Sequence, residues 1–174
     1  MTMNIRFLPL ALPLLLAACV EYAEVKTPPQ SVSFTESRAQ AAVRGYSETT
    51  FRSFRSTEKG RKDNQELVGV RCSLTGTGFK AAFVTPAIVK MPAYQGAADP
   101  IAVTCRTDKD RTDKTVKPIN MTLLRMNQSS TTSGGILGVA LTAAAKGIAK
   151  AARDPLKDEF NYPVNIHLVL GVED

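Results

Sequence analysis

The sequence predicts a mainly β fold, a small β-sandwich with an N-terminal helix and a Gly/Ala-rich helix before the last strand. Three observations predict it. Between residues 66 and 105, apolar side chains alternate with polar or small ones, the two-residue period of a half-buried strand. Turn formers, Thr75-Gly76-Thr77-Gly78, Thr85-Pro86 and Asp99-Pro100, cut that stretch at strand-length intervals. The alternation returns at Val164, Ile166, Leu168 and Leu170, after Tyr162-Pro163. Strands of this kind bury only one face, so they need a second layer to cover it.

The N-terminus carries a different signal. Residues 1–6 hold one positive charge, Arg6, and residues 7–18 are apolar throughout. That is the layout of a secretory leader, and it is too short for a membrane-spanning helix, which needs about 20 residues. Pro9 and Pro13 also interrupt any long helix. At its end, Leu16-Ala17-Ala18-Cys19 resembles the lipobox of bacterial lipoproteins. The resemblance implies cleavage before Cys19, which then carries thioether-linked diacylglycerol and usually an amide-linked acyl chain. At about 0.8 kcal/mol per buried methylene, two or three chains anchor stably. Val20 stands where an Asp would resemble the inner-membrane retention signal of enteric bacteria, so the expected address is the periplasmic face of the outer membrane. An ordinary secretory signal with an unrelated cysteine is the alternative.

The chain then divides into a leader at 1–18, a tether at 19–32, an N-terminal helix with a basic loop at 33–65, and a β-sandwich domain at 66–174. The tether is polar and stiffened by Pro28-Pro29. Ser33-x-x-Glu36 has the form of a capping box, and Ala39, Ala42, Val43, Tyr46, Thr50 and Phe54 follow at roughly helical spacing. Gly45 and the Ser/Thr residues weaken that helix, so a break or a strand after Gly45 is the alternative. Arg52, Arg55, Lys59, Arg61 and Lys62 form a basic run relieved by Glu58 and Asp63. It either contacts an anionic surface or forms a solvated loop.

Within the sandwich domain, Val68, Val70, Cys72 and Leu74 form one apolar set and Phe79, Ala81 and Phe83 the next, as in a hairpin. Ala87, Val89 and Met91 follow, closed by Pro92, and then Ile101, Val103 and Cys105. Residues 106–114, with Asp108, Asp110 and Asp113 among Lys and Arg, read as a solvated hairpin tip. They lack the glycine and glutamate of a calcium loop. Residues 116–124 read as a strand with Pro118 at an edge or bulge. The helix at 136–152 is apolar apart from Thr142, Lys146 and Lys150. It packs in the core, meets a membrane or partner, or is a flexible insertion.

With Cys19 lipidated, Cys72 and Cys105 are an even pair in an oxidising compartment, and both fall on the apolar phase of their strands. A disulfide is expected, stabilising by about 3–4 kcal/mol in the chain-entropy model. A metal or redox pair would need closer spacing and more ligands.

Chemistry is sparse. The one histidine, His167, has no acid or nucleophile beside it to build a triad, and His and Cys are too few for zinc. Gly134-Gly135 lacks the following Lys-Ser/Thr of a phosphate loop. The expectation is no catalytic residues, no metal, no cofactor and no small-molecule substrate. Losing Arg6 with the leader lowers the formal net charge of +6 by one. That basic balance suits acidic headgroups, lipopolysaccharide phosphates or an acidic protein; nucleic acid is not expected outside the cytoplasm.

The run Val70-Arg71-Cys72-Ser73-Leu74-Thr75-Gly76-Thr77-Gly78-Phe79, with Phe83-x-Thr85-Pro86-Ala87, Met91-Pro92-x-Tyr94, Val103-Thr104-Cys105 and Tyr162-Pro163, resembles uncharacterised small lipoproteins of Gram-negative envelopes. That resemblance covers residues 66–170 and implies a Cys-bridged β-domain with no active site. The expected role is a lipid-anchored interaction or structural module of an envelope assembly. The alternative is a binder of an anionic envelope ligand such as lipopolysaccharide or peptidoglycan.

Overall fold

The structure, a computed structural model, describes residues 22–56, 64–128, 147 and 150–172. Strands β1 (Gln30–Ser31) and β2 (Ser33–Phe34) flank the buried Val32 and belong to different sheets, so the chain changes layer at that residue. A short helix, α1 (Ser37–Ala41), leads to the 12-residue strand β3 (Gly45–Ser56). Strands β4 (Asn64–Leu67) and β5 (Val70–Gly76) meet at Gly69, whose φ of 85° is the left-handed conformation that glycine adopts without a Cβ clash. A hairpin joins β5 to β6 (Phe79–Thr85). The chain then passes back to the first sheet at Pro86, after a cis Thr85–Pro86 bond, and runs as β7 (Ala87–Gln95). There follow β8 (Ile101–Arg106), β9 (Arg111–Val116), β10 (Ile119–Asn120) and helix α2 (Met121–Gln128). A 3-10 turn (Pro155–Lys157), β11 (Glu159–Asn161) and β12 (Asn165–Val172) close the described chain.

Among the described residues these strands form two sheets. One has the order β10-β11-β7-β3-β12, with β1 beside β7 and β4 beside β3; the other has the order β2-β6-β5-β8-β9. Pairing is antiparallel except for β12 on β3 and β1 on β7. The predicted mainly β sandwich is therefore the observed fold. Its core joins Val89, Met91, Leu168 and Leu170 of one sheet to Leu74, Ile101 and Val103 of the other, all fully buried. Phe51 and Phe83 bring their rings within 4.7 Å across the layers. Beside them the buried Thr85 hydroxyl donates to the Ser53 hydroxyl at 2.8 Å, so neither polar group is stranded in the core.

Several predicted elements are placed differently. The helix expected from Ser33 shrinks to α1: Ser33 lies in β2, and Glu36 precedes the helix without a side-chain capping bond. From Gly45 onward the alternative holds and the chain is strand. Residues 46–54 are rich in aromatic and β-branched side chains that suit a pleated surface. Phe51 and Phe54 are three apart and mimic helical spacing, yet Phe51 faces the core while Phe54 packs on the outer face against Tyr22 and His167.

The expected strand at 116–124 is broken up: β9 ends at Val116, and only the two-residue β10 at Ile119–Asn120 follows before α2. Asn120 instead accepts a hydrogen bond from the Leu123 N–H at 2.9 Å and caps α2. Strand β7 continues past Pro92 to Gln95. Pro92 stands opposite Tyr46 of β3, and on the other edge of β7 it falls in the gap between the segments that β1 and β11 cover, a place where proline's missing N–H is tolerated. Val68 and Val164, placed in the apolar sets from sequence, are exposed just outside β5 and β12. The hairpin tip narrows to residues 107–110, where the Thr107 hydroxyl accepts from the Lys109 and Asp110 amides. Of the Gly/Ala-rich segment, Gly147, Lys150 and Ala151 are helical; residues 136–146, 148 and 149 lie outside the described residues.

Candidate functional site

Cys72 and Cys105 form the expected disulfide. They sit directly opposite each other on β5 and β8, so the bridge runs across one sheet rather than between the two. Their Cα atoms are 4.1 Å apart, the closer spacing of antiparallel positions not joined by backbone hydrogen bonds. Both side chains point into the core. The bridge therefore locks the register of β5 on β8 from the inside.

The basic run is dismantled by the fold. Arg52 projects from the outer face of β3 and binds the Glu66 carboxylate at 2.6 Å, with side-chain exposures of 15% and 12%. The same guanidinium donates to the Ala23 carbonyl at 2.8 Å and lies 5.0 Å from the centre of the Tyr22 ring. Glu66 in turn accepts from the Ala23 N–H at 2.7 Å. Arg55 follows Phe51 and Ser53 along β3 and pairs at the edge with Asp110 of the β8–β9 turn at 3.0 Å. Lys59, Arg61, Lys62 and Cys19 lie outside the described residues.

These contacts also correct the tether. Residues 22–32 are strapped down: Tyr22 and Ala23 are clamped over β3 and β4, Gln30 and Ser31 pair with β7, and Val32 is in the core. The Lys26-Thr27-Pro28-Pro29 segment spans the distance between the two attachments. Sequence composition reported a polar, proline-stiffened stretch correctly, but its docking depends on Arg52 and Glu66, which lie far along the chain.

A different cationic site is assembled on the outer face of the five-stranded sheet. The register places Arg71 of β5 opposite Arg106 of β8, and Arg106 opposite Arg111 of β9. Arg111 is neutralised within its own strand by Asp113 at 2.8 Å. Hydrogen bonds from Arg111 and Thr104 hold the Asp113 carboxyl below its usual range. Arg71 and Arg106 are exposed and have no hydrogen bond or ion pair among the described residues, although the charge of Arg106 also acts on Asp113. Like charges directly opposite on neighbouring strands are destabilising. The two line a groove of about 720 Å³ with Arg55, Ser73 and Thr104, and one acid, Asp108, at its end.

Sequence reasoning passed over Arg71 and Arg106 because each is a lone cation on the exposed phase of a strand. The signal was present in the cysteines. If Cys72 and Cys105 are paired across adjacent antiparallel strands, Arg71 and Arg106, one residue outward from each, must also face each other. Only the knowledge that the bridge lies within one sheet was missing.

A second concavity, about 300 Å³, lies between α1, the β5–β6 turn and the β7–β8 loop, against Phe79, Tyr94 and Tyr162. Tyr162 donates to the Asp99 carbonyl at 2.8 Å, and the buried Tyr94 hydroxyl has no hydrogen-bond partner among the described residues. Burial, then the nearby Tyr46 and Asp99, push the Tyr94 phenol up; burial and then Tyr94 and Asp99 push Tyr162 up further. His167 lies on the outer face of the seven-stranded sheet, its ring tilted against that of Phe54 with centroids 4.8 Å apart. Among the described residues no group of three or more His, Cys, Asp or Glu is placed to hold a metal ion, and no helix is long and apolar enough to cross a membrane.

No protein-family model, curated protein or solved structure matches this chain.

Proposed function

We propose that the chain is a lipid-anchored envelope lipoprotein, held on the periplasmic face of the outer membrane through Cys19. There it acts without catalysis, as an interaction or structural module of an envelope assembly. The lipobox-like Leu16-Ala17-Ala18-Cys19 supports the anchor. The clamp on residues 22 and 23 supports the structural role and is the observation that carries it. Cys19 lies three residues before Tyr22, and an extended chain reaches about 3.5 Å per residue. The acylated cysteine would therefore sit within about 10 Å of the clamped Tyr22. The sandwich would be carried close to the bilayer in a set orientation, rather than swinging on a long tether. A module that presents one face to a fixed partner benefits from that restriction, because less orientational freedom is lost on association.

Cys19→Ala should abolish incorporation of labelled palmitate and leave precursor or soluble protein. Retained labelling would remove the anchor. In-cell crosslinking of the lipidated protein should return one specific protein neighbour, lost on Ile148→Asp if the Gly/Ala-rich segment is the contact. Crosslinks to abundant envelope proteins at random would remove the interaction role.

A second role, binding an anionic envelope ligand such as lipopolysaccharide or peptidoglycan, is favoured by the directly opposed, exposed Arg71–Arg106 pair rather than by the basic run. In that run Arg52 and Arg55 are already engaged by Glu66 and Asp110.

A further inference from the structure

We infer that the groove over β5 and β8 is a phosphate-binding site, in which Arg71 and Arg106 together hold one phosphoryl or pyrophosphoryl group. This deepens the second role above and rests on it. Three observations point the same way. First, the two guanidinium groups rise from directly opposed positions on adjacent strands, about 4.8 Å apart in backbone spacing, near enough for both to reach the oxygens of one phosphate. The planar fork of arginine suits that geometry, with paired N–H donors matching paired oxygens.

Second, among the described residues neither makes a hydrogen bond or an ion pair, and the acid that feels the charge of Arg106, Asp113, is already bound by Arg111 and Thr104. Arg52, Arg55, Arg111, Arg125 and Arg153 all have a carboxylate within 4 Å, at Glu66, Asp110, Asp113, Glu159 and Asp158. Arg71 and Arg106, like Arg38 and Arg44, have none among the described residues, although Asp108 lies in the same groove. An anion bridging the pair would convert a repulsive contact into two charge-assisted ones.

Third, the disulfide lies one residue away on the opposite side of the sheet, joining the immediate neighbours of both arginines. It holds β5 against β8 whatever the repulsion above it. The cations are thereby kept together before any ligand arrives, which lowers the ordering cost of binding. The exposed hydroxyl of Ser73, next along β5 on the same face, lines the groove and adds a neutral donor.

The test uses the purified mature chain with Cys19→Ala and its disulfide intact, so that no acyl chain carries the protein onto vesicles. Titration calorimetry with inorganic pyrophosphate is run at moderate salt, beside flotation with vesicles of phosphatidylglycerol in phosphatidylcholine. Arg71→Gln and Arg106→Gln are compared with Lys80→Gln, which removes one charge from the same sheet face, opposite Thr75 and away from the groove. Folding of each variant is checked by its thermal transition. The expected result is that each arginine variant weakens binding about tenfold or more, the loss of one charge-assisted contact, while Lys80→Gln changes it less than about twofold.

Response to pyrophosphate supports a soluble or saccharide-borne phosphate. Vesicle binding with no pyrophosphate response, lost in the same two variants, supports a lipid headgroup. Binding that survives both arginine substitutions, or falls equally with Lys80→Gln, overturns the groove as the site while leaving the protein an anion binder. No binding in either arm by the protein with both arginines in place overturns the groove and the second role together.

Discussion

Arg71 stands directly opposite Arg106 on the outer face of the five-stranded sheet, one residue from the bridge that joins Cys72 to Cys105 on its inner face. Two cations so placed oppose strand pairing, while the bridge and the buried Leu74 and Val103 on the inner face favour it. Replacing Arg71 with Thr, a residue with good strand propensity, should therefore raise the stability of the free protein by about 0.2–1 kcal/mol. The gain should shrink at high salt, where exposed charges are screened. Urea denaturation at low and high salt measures both. A loss of stability would mean that the Arg71 stem packs more favourably than its charge repels.

Removing the bridge reverses the balance. The Cys72→Ala/Cys105→Ala protein should lose about 3–4 kcal/mol, the chain-entropy value for a 33-residue separation. It should also lose the buried sulfur packing, since both cysteines are buried in the core cluster. Denaturation of the oxidised protein against this variant gives the difference. A change below about 1 kcal/mol would show that the unfolded chain is already compact enough for the crosslink to matter little.

The N-terminal strap depends on Glu66. Its carboxylate accepts from Arg52 and from the Ala23 amide, and both side chains are largely shielded from solvent. Glu66→Ala should cost about 1–3 kcal/mol, because Arg52 is left part-buried with only the Ala23 carbonyl and the Tyr22 ring. Amide exchange at Ala23 should accelerate at least about tenfold, while exchange at Leu168 in the sheet core is affected only by the global change. Unchanged exchange at Ala23 would place its protection elsewhere.

High pH tests the tyrosine cavity. Burial holds the Tyr162 phenol well above its ordinary 10.0, with Tyr94 and Asp99 adding to the effect. The folded state therefore keeps a proton that the unfolded chain releases. The stabilisation is fully present below about pH 10 and is lost as pH rises above it toward the folded value, at up to about 1.4 kcal/mol per pH unit. Tyr162→Phe should flatten that decline, at the expense of the hydrogen bond to the Asp99 carbonyl at neutral pH. Stability against pH from 8 to 11.5 for both proteins reads it directly. Parallel curves would mean the phenol ionises without unfolding.

Much of the sandwich was legible along the chain. The inward sets at Val70, Cys72 and Leu74 and at Ile101, Val103 and Cys105 are buried as their alternation predicts. Strand β3 was harder, because the spacing of Tyr46, Thr50 and Phe54 fits a helix as well as the outer face of a strand covered by a docked N-terminus. The cap on α2 was legible in principle from Asn120, but the Val116 and Ile119 signals beside it favoured a strand.

What the sequence determined by itself is local: the two-residue period, the turns, the cysteines on the apolar phase, and the lipobox-like tetrad from which an envelope address is proposed. Such features depend on a few neighbouring residues and on backbone geometry that any strand shares. The tertiary structure alone decided which strands are neighbours and in what register. That choice sends Arg52 to Glu66 and Arg55 to Asp110, folds residues 22–32 onto the sheet, and leaves Arg71 facing Arg106 with no ion pair to either among the described residues. Charge is carried by single residues, but its compensation is a property of pairs, and pairs are made only when distant strands meet.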